Sequence, residues 1–264
     1  MHPIPAIVLI SGGSAILAVV GFAIVSKVGK TIDLGEHQGF LDAMLSIVGT
    51  LVSILLGLLV AAALDHYQAL EQSVDTEANS VAQCYRLSRG LPLETEQKIQ
   101  ALCYQYTQLV LHEDWPAMAR GQRSPNVLKV YMELLDTVVS FHPSTNGETN
   151  LHASLLNSIQ MIGDCRRQRV LALDSAWTKH LLPVLVMCSL IVLVFAYLYM
   201  RKGALLHAAL IFLVAIALGG NLGLVFLLTN PFSGDWQIQP RGFELNDKIL
   251  RELRSSGIPL EKRN

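Results

Sequence analysis

Charge is scarce in this chain. Acidic and basic residues make up 16% of its 264 positions, against 52% hydrophobic. A soluble globular domain carries about 25% charged residues, so an ordinary water-facing surface is not available to much of this sequence. The two signs nearly cancel, at a formal net charge of −1, which excludes the basic surface that nucleic acid requires. Cysteine is sparse as well. Cys84, Cys103, Cys165 and Cys188 are scattered, with no C-x-x-C pair. That spacing argues against a disulfide framework and a metal signature, and predicts reduced, buried thiols. No segment alternates at period two, so no sheet is expected. Neither H-E-x-x-H nor G-x-S-x-G occurs, and no spacing supports a nucleophile–base pair. An enzyme is therefore not expected, and neither is a cofactor.

Four apolar blocks hold the excess hydrophobicity, near residues 5–26, 43–64, 181–200 and 204–229. Each is long enough to cross a bilayer, and none has Asp, Glu, Lys or Arg in its interior. The first lacks a basic n-region and reads as a span rather than a cleavable signal. The expected organisation is residues 1–64 as two membrane helices, 65–180 as a helical domain, 181–229 as two more membrane helices, and 230–264 as a tail. Membrane lipid is therefore a partner.

The second block, MLSIVGTLVSILLGLLVAAAL, passes into DHYQALEQSVDTEANSVAQCYRLSRG with no Gly or Pro between Leu58 and Gly90. One continuous helix running out of the membrane is expected. Its face at i, i+4 and i+8 carries Thr50, Ile54 and Leu58. In a ring of copies, aliphatic side chains gate by dewetting while Thr50 and Ser53 offer hydroxyls to an ion. The plainer reading has Ile54 and Leu58 facing lipid or packed. Asp65-His66 is either a charge pair at a pore exit or the point where polar residues become tolerable.

Small residues cluster in two spans, at Ser11–Ser14 and at Gly219 with Gly223, a pattern that allows close helix packing. Asn221 at membrane depth needs a hydrogen bond or a pathway, and the hydrogen bond is the preferred reading. In the central domain the stripe Ile99, Leu102, Cys103, Tyr106, Leu109 and Val110 predicts a helix closed by Trp115-Pro116. Ser124-Pro125 predicts the start of another, carrying Val127, Tyr131, Leu134, Leu135 and Val138. Residues 144–150 read as a loop, and Leu151, Leu155, Ile159 and Ile162 as a further stripe. Glu77 shares a face with Val74, Val81 and Tyr85 and reads as the partner of an arginine such as Arg86 or Arg89. Arg166, Arg167 and Arg169 read as a solvated face, a headgroup anchor or an attractor of anions. His112-Glu113-Asp114 reads as a helix end.

Asp33, Glu36 and Asp42 form either an electrostatic mouth or a solvated loop. Lys27, Lys30, Arg201 and Lys202 lie in the two short loops. Arg166, Arg167, Arg169, Lys179, Arg241 and Lys248 lie near the membrane on the other side. The positive-inside rule then leans towards a cytoplasmic central domain and cytoplasmic termini.

Three stretches, LLGLLVAAALDHYQALEQSVDTEANSVAQCYRLSRGLP, DCRRQRVLALDSAW and TNPFSGDWQIQPRGF, resemble a bacterial membrane family known as bestrophin-like. Behind it stands a likeness to bestrophins, which carry Leu-Gly-Phe where this chain has Leu56-Gly57-Leu58. They also carry an acidic-basic-aromatic run where it has Asp65, His66 and Tyr67. The likeness implies an all-α membrane protein with four transmembrane helices and a helical cytoplasmic domain between helices 2 and 3. It implies a homo-oligomer, a pentamer in bestrophins, that conducts inorganic ions, anions by default with cations open. The pore would be lined by Thr50, Ser53, Ile54, Gly57, Leu58 and Asp65. The chain departs from that pattern: Leu58 replaces an aromatic, Thr50 an aliphatic, and an Arg-Trp-Trp run is missing. Asn230-Pro231-Phe232 is similar to the start of the bestrophin calcium clasp, but only Asp235 and Glu244 remain of its acids, so no calcium site is expected. The alternative function is a membrane-anchored sensor or scaffold whose helical domain binds a protein partner.

Overall fold

The computed structural model describes residues 4–28, 38–174, 176–198, 204–234 and 236–255. The mouth residues Asp33 and Glu36, the hairpin Arg201–Gly203, Lys30, Asp235 and the last residues of the tail lie outside the described residues. Among the described residues the chain is helical and has no strand. It divides into two compact units, one of residues 1–67 and 175–236, the other of 68–174 and 237–264.

The first unit contains α1 (Ile4–Val28), α7 (Ala176–Leu198), α8 (Ala204–Leu228) and the opening part of α2 (Gln38–Leu87). Three helices hold stretches long and apolar enough to cross a membrane, Ile7–Ser26, Leu205–Leu228 and the first part of Asp42–Gly90. In α7 the apolar stretch is shorter, Leu182–Tyr197. At 50 residues, α2 has more than twice the ~20 that a hydrocarbon core accommodates. The polar second part of this helix has no Gly or Pro to stop it.

Two apolar clusters order the helices of this unit. Ala15, Ala18 and Phe22 of α1 pack on Ile211 and Ala215 of α8. Val52 and Leu56 of α2 pack on Leu185, Cys188 and Val225. The small-residue signal marks a helix contact, as expected, but Ser11 and Ser14 make it rather than Gly12 and Gly13. A Cβ at Gly219 would collide with the Ser14 side chain and press on the Ser11 backbone, whereas one at Gly12 or Gly13 would meet nothing. Ser14 Oγ donates to Ala215 O at 3.1 Å, and Tyr197 OH donates to Ala18 O at 2.7 Å.

The second unit holds the rest of α2, then α3 (Leu93–Leu109), α4 (Trp115–Met118), α5 (Pro125–Val139), α6 (Asn146–Leu171) and α9 (Arg241–Ser255). Leu91, which precedes Pro92, is extended and ends the α2 run, as sterics before proline require. The helix expected to close at Trp115-Pro116 instead continues through a π turn, Val110–Asp114, into α4. The wider turn spares Pro116 the clash that its ring makes with an α-helical carbonyl four residues back. Residues 144–150 are not a loop throughout, because α6 begins at Asn146. Thr145 and Glu148 form a capping box there, with Glu148 N donating to Thr145 Oγ1 at 3.1 Å. Ser124 caps α5 ahead of Pro125, as expected. On α9, Phe243 and Leu250 are buried, and Asn246 Nδ2 donates to Ala78 O at 2.7 Å.

Candidate functional site

The first 30 residues of α2 show two sides. Val52, Leu56, Ala63 and Tyr67 are buried, at helical spacing. Thr50, Ser53, Ile54, Gly57, Leu58 and Asp65 fall away from that face and are all exposed, Ile54 at 57% and Leu58 at 65%. Among the described residues nothing packs over Ile54 or Leu58, and a Cβ at Gly57 would meet no atom within 4 Å. The hydroxyls of Thr50 and Ser53 are turned back on their own helix, donating to Ser46 O and Gly49 O at 2.7 Å. In that state they present oxygen lone pairs outward. Asp42, the one described member of the suggested mouth, is exposed at the start of the same helix.

Beside this stripe, within the first unit, lies a cleft of about 480 Å³. Gly49, Ser53 and Gly57 wall it on α2, with Val192 of α7 and Leu218 and Asn221 of α8 opposite. The hydrogen bond preferred for Asn221 is not formed among the described residues, and its amide borders the open cleft instead. His207, which sequence reasoning did not single out, donates from Nε2 to Ala196 O at 3.0 Å and stacks near Phe22.

The second unit contains a buried charge network, only part of which was legible in the sequence. Arg169 is fully buried, so it is neither a solvated face nor a headgroup anchor. Its Nε and Nη2 donate to the two oxygens of Glu77 at 2.9 and 3.0 Å, a bidentate pair. Nη1 donates to Asp114 Oδ2 at 2.6 Å, and the guanidinium sits over the Trp115 ring at 5.6 Å. Tyr106 OH completes the cage, donating to Glu77 Oε1 at 2.6 Å. Burial disfavours the Arg169 cation, yet Glu77, joined by Tyr106 and Asp114, offsets that and raises its pKa. Burial and then the negative Glu77 push the Tyr106 phenol well up.

Glu77 was placed correctly on a packed face, but its partner is Arg169 rather than the exposed Arg86 or Arg89. One signal was available: Arg169, like Arg166, continues the stripe Leu155, Ile159, Ile162 at helical spacing, and an arginine buried there needs an acid. The helix does not end at His112-Glu113-Asp114 but runs on into α4, and Asp114 is buried. The π turn carries it inward, where it also accepts from Ser124 N at 2.7 Å. All four cysteines are free and buried, as the sequence suggested.

The model of the bestrophin-like domain matches residues 12–243. No curated protein matches the sequence. Crystal structures of single-residue variants of a bacterial bestrophin homologue from Klebsiella pneumoniae share this architecture. One has a TM-score of 0.64 at 11% identity, covering 97% of this chain and 100% of that one. A second has a TM-score of 0.62, also at 11% identity, with the same coverage. The crystal structure of another membrane protein variant aligns with a TM-score of 0.64 at 9% identity, covering 97% and 100%. At such identities the likeness speaks to fold alone.

Proposed function

We propose a function on the premise that the chain belongs to the bestrophin-like family. Copies of it assemble around a common axis and conduct inorganic ions along a path lined by α2. The observation that carries this reading is the stripe Thr50, Ser53, Ile54, Gly57, Leu58 and Asp65, exposed in the protomer and opposite the packed face of its helix. Lipid can cover Ile54 and Leu58, but Thr50, Ser53 and Asp65 on the same stripe favour contact with water and ions. Ile54 and Leu58 then form an aliphatic neck that opens and closes by wetting.

Cations are the ions this helix suits. Asp65 is exposed in the first unit, and Glu71 and Asp75 are exposed further along α2 in the second. The first arginine on the helix is Arg86. Rings of carboxylates attract cations and repel anions. This departs from the anion default that the likeness to bestrophins implies. Of the cluster Arg166, Arg167 and Arg169, the last is consumed by Glu77 and Asp114, which leaves Arg167 exposed and Arg166 half-buried. Four membrane helices, a pentameric ring, and a cytoplasmic domain and termini at a bacterial inner membrane complete the proposal.

Reversal potential in liposomes or planar bilayers under a potassium chloride gradient tests it. Wild type should reverse near the cation equilibrium potential, and Asp65→Asn with Glu71→Gln should move the reversal towards zero. A reversal on the chloride side contradicts the cation assignment, and absence of current contradicts the channel.

A second reading, the membrane-anchored scaffold, has one observation in its favour. Leu128, Met132 and Val139 form an exposed apolar row on α5 outside the membrane helices, a feature that marks protein-binding surfaces. A stoichiometric partner retained in purification, together with electrical silence, selects it.

A further inference from the structure

Helix α5 carries two apolar stripes. One, Val127, Val130, Leu134 and Val138, is buried in the second unit. The other is Leu128, Met132, Leu135 and Val139, spaced four, three and four residues apart as in the seam of a coiled coil. Leu128, Met132 and Val139 are exposed, at 39, 48 and 58%, and Leu135 is half-buried. Single exposed apolar residues need no partner, but a row of them at seam spacing is a surface. We propose that this stripe packs against the same stripe of a second copy, the two α5 helices running antiparallel about a two-fold axis.

The row matches its own reverse. Because the spacing reads the same in both directions, Leu128 meets Val139 of the second copy and Met132 meets Leu135, and each contact occurs twice, as a two-fold axis requires. Charge selects this orientation. Lys129 and Asp136 each follow a seam residue along the same edge of the helix, and both are exposed. Neither has an ion-pair partner among the described residues. Reversal sets Lys129 of one copy against Asp136 of the other, about 3 Å apart along the axis, again twice. A parallel pair would instead set Lys129 against Lys129 and Asp136 against Asp136. Exposed charge pairs add little affinity, but they choose orientation and register. Glu133 lies about 60° farther round the helix from the seam and does not enter the contact. An isologous contact closes on two copies and cannot build a ring. It therefore joins one assembly to another and stands whether or not the chain conducts.

The seam is short, so its test belongs in membranes, where confinement keeps copies close. The full chain carrying Leu128→Cys with Val139→Cys is treated there with a short bifunctional thiol reagent. Both positions are exposed, so the fold tolerates them. Within one chain the two thiols stand about 16 Å apart along the helix, beyond the reagent's span. The double variant should give linked pairs and nothing larger, and each single variant should give none. The buried native thiols add no background. Adding Lys129→Glu should lower the yield several-fold, and adding Asp136→Lys to that should restore it. A ladder of linked copies would mean a heterologous contact and overturn the proposal. So would pairs from a single variant, which require parallel helices, or a yield that ignores both charge changes. No links from the double variant would likewise overturn it and return the stripe to a foreign partner.

Discussion

At the scale of single residues, Arg169 decides most in the second unit. Two carboxylates, a phenol and an indole ring converge on one buried guanidinium. Removing it strands Glu77 and Asp114 away from water, so Arg169→Leu should cost about 3–5 kcal/mol. Arg169→Lys retains the charge but loses the bidentate fork, and should fall between the two. Thermal unfolding of the full chain in detergent reads both, and a variant as stable as wild type would contradict this assignment. The sequence showed Glu77 on a buried face because its neighbours Val74 and Val81 are apolar. It hid the partner, since 92 positions separate Glu77 from Arg169, and Arg166 and Arg167 beside Arg169 give the stretch a solvated look.

Elements were legible to different degrees. The continuity of α2 could be read because 31 residues without Gly or Pro, between Leu58 and Leu91 save Gly90, leave a helix no reason to stop. The start of α6 was missed because a polar run hides its cap. Thr145 and Glu148 sit three apart among Ser, Asn and Gly, where composition says loop and spacing says capping box. Ser144 N and Oγ also donate to Glu148 Oε2, at 2.7 and 2.8 Å. The Ser144 amide and then its hydroxyl hold the Glu148 carboxyl below its usual range. A carboxyl with a lowered folded-state pKa supports the fold above its unfolded value and loses that support as pH falls through the lowered one. The first turn of α6 should therefore be protected at neutral pH and lose that protection only below the ordinary glutamate range, as pH falls through the lowered value. Hydrogen exchange at Thr145 and Glu148, corrected for intrinsic rates, should show this in wild type and no acid step in Glu148→Gln. An acid step retained in that variant would assign the transition to another group. The π turn of Val110–Asp114 had no readable signal beyond Pro116 itself, because its purpose is the inward placement of Asp114, a three-dimensional requirement.

At the scale of the whole molecule, the apolar blocks and the polar interval between them made the membrane class and the all-helical architecture readable. Composition alone sufficed, since four runs without Asp, Glu, Lys or Arg have few other destinations. The stripe proposed to line the path is visible in the sequence as a period on α2. Its exposure is not, because periodicity cannot tell a face packed by the chain's own helices from one left for other copies. The structure shows Val52 and Leu56 packed, and Ile54 and Leu58 exposed. That second face is the one proposed to line an ion path. Current across a planar bilayer holding purified protein tests it most directly, with wild type beside Ile54→Ala, Leu58→Ala and Leu17→Ala, the last an exposed aliphatic of α1. Widening a hydrophobic neck should raise conductance or abolish closure in the two α2 variants and leave Leu17→Ala like wild type. Equal currents from all four, or silence from all four, would contradict the assignment of α2 as the lining helix.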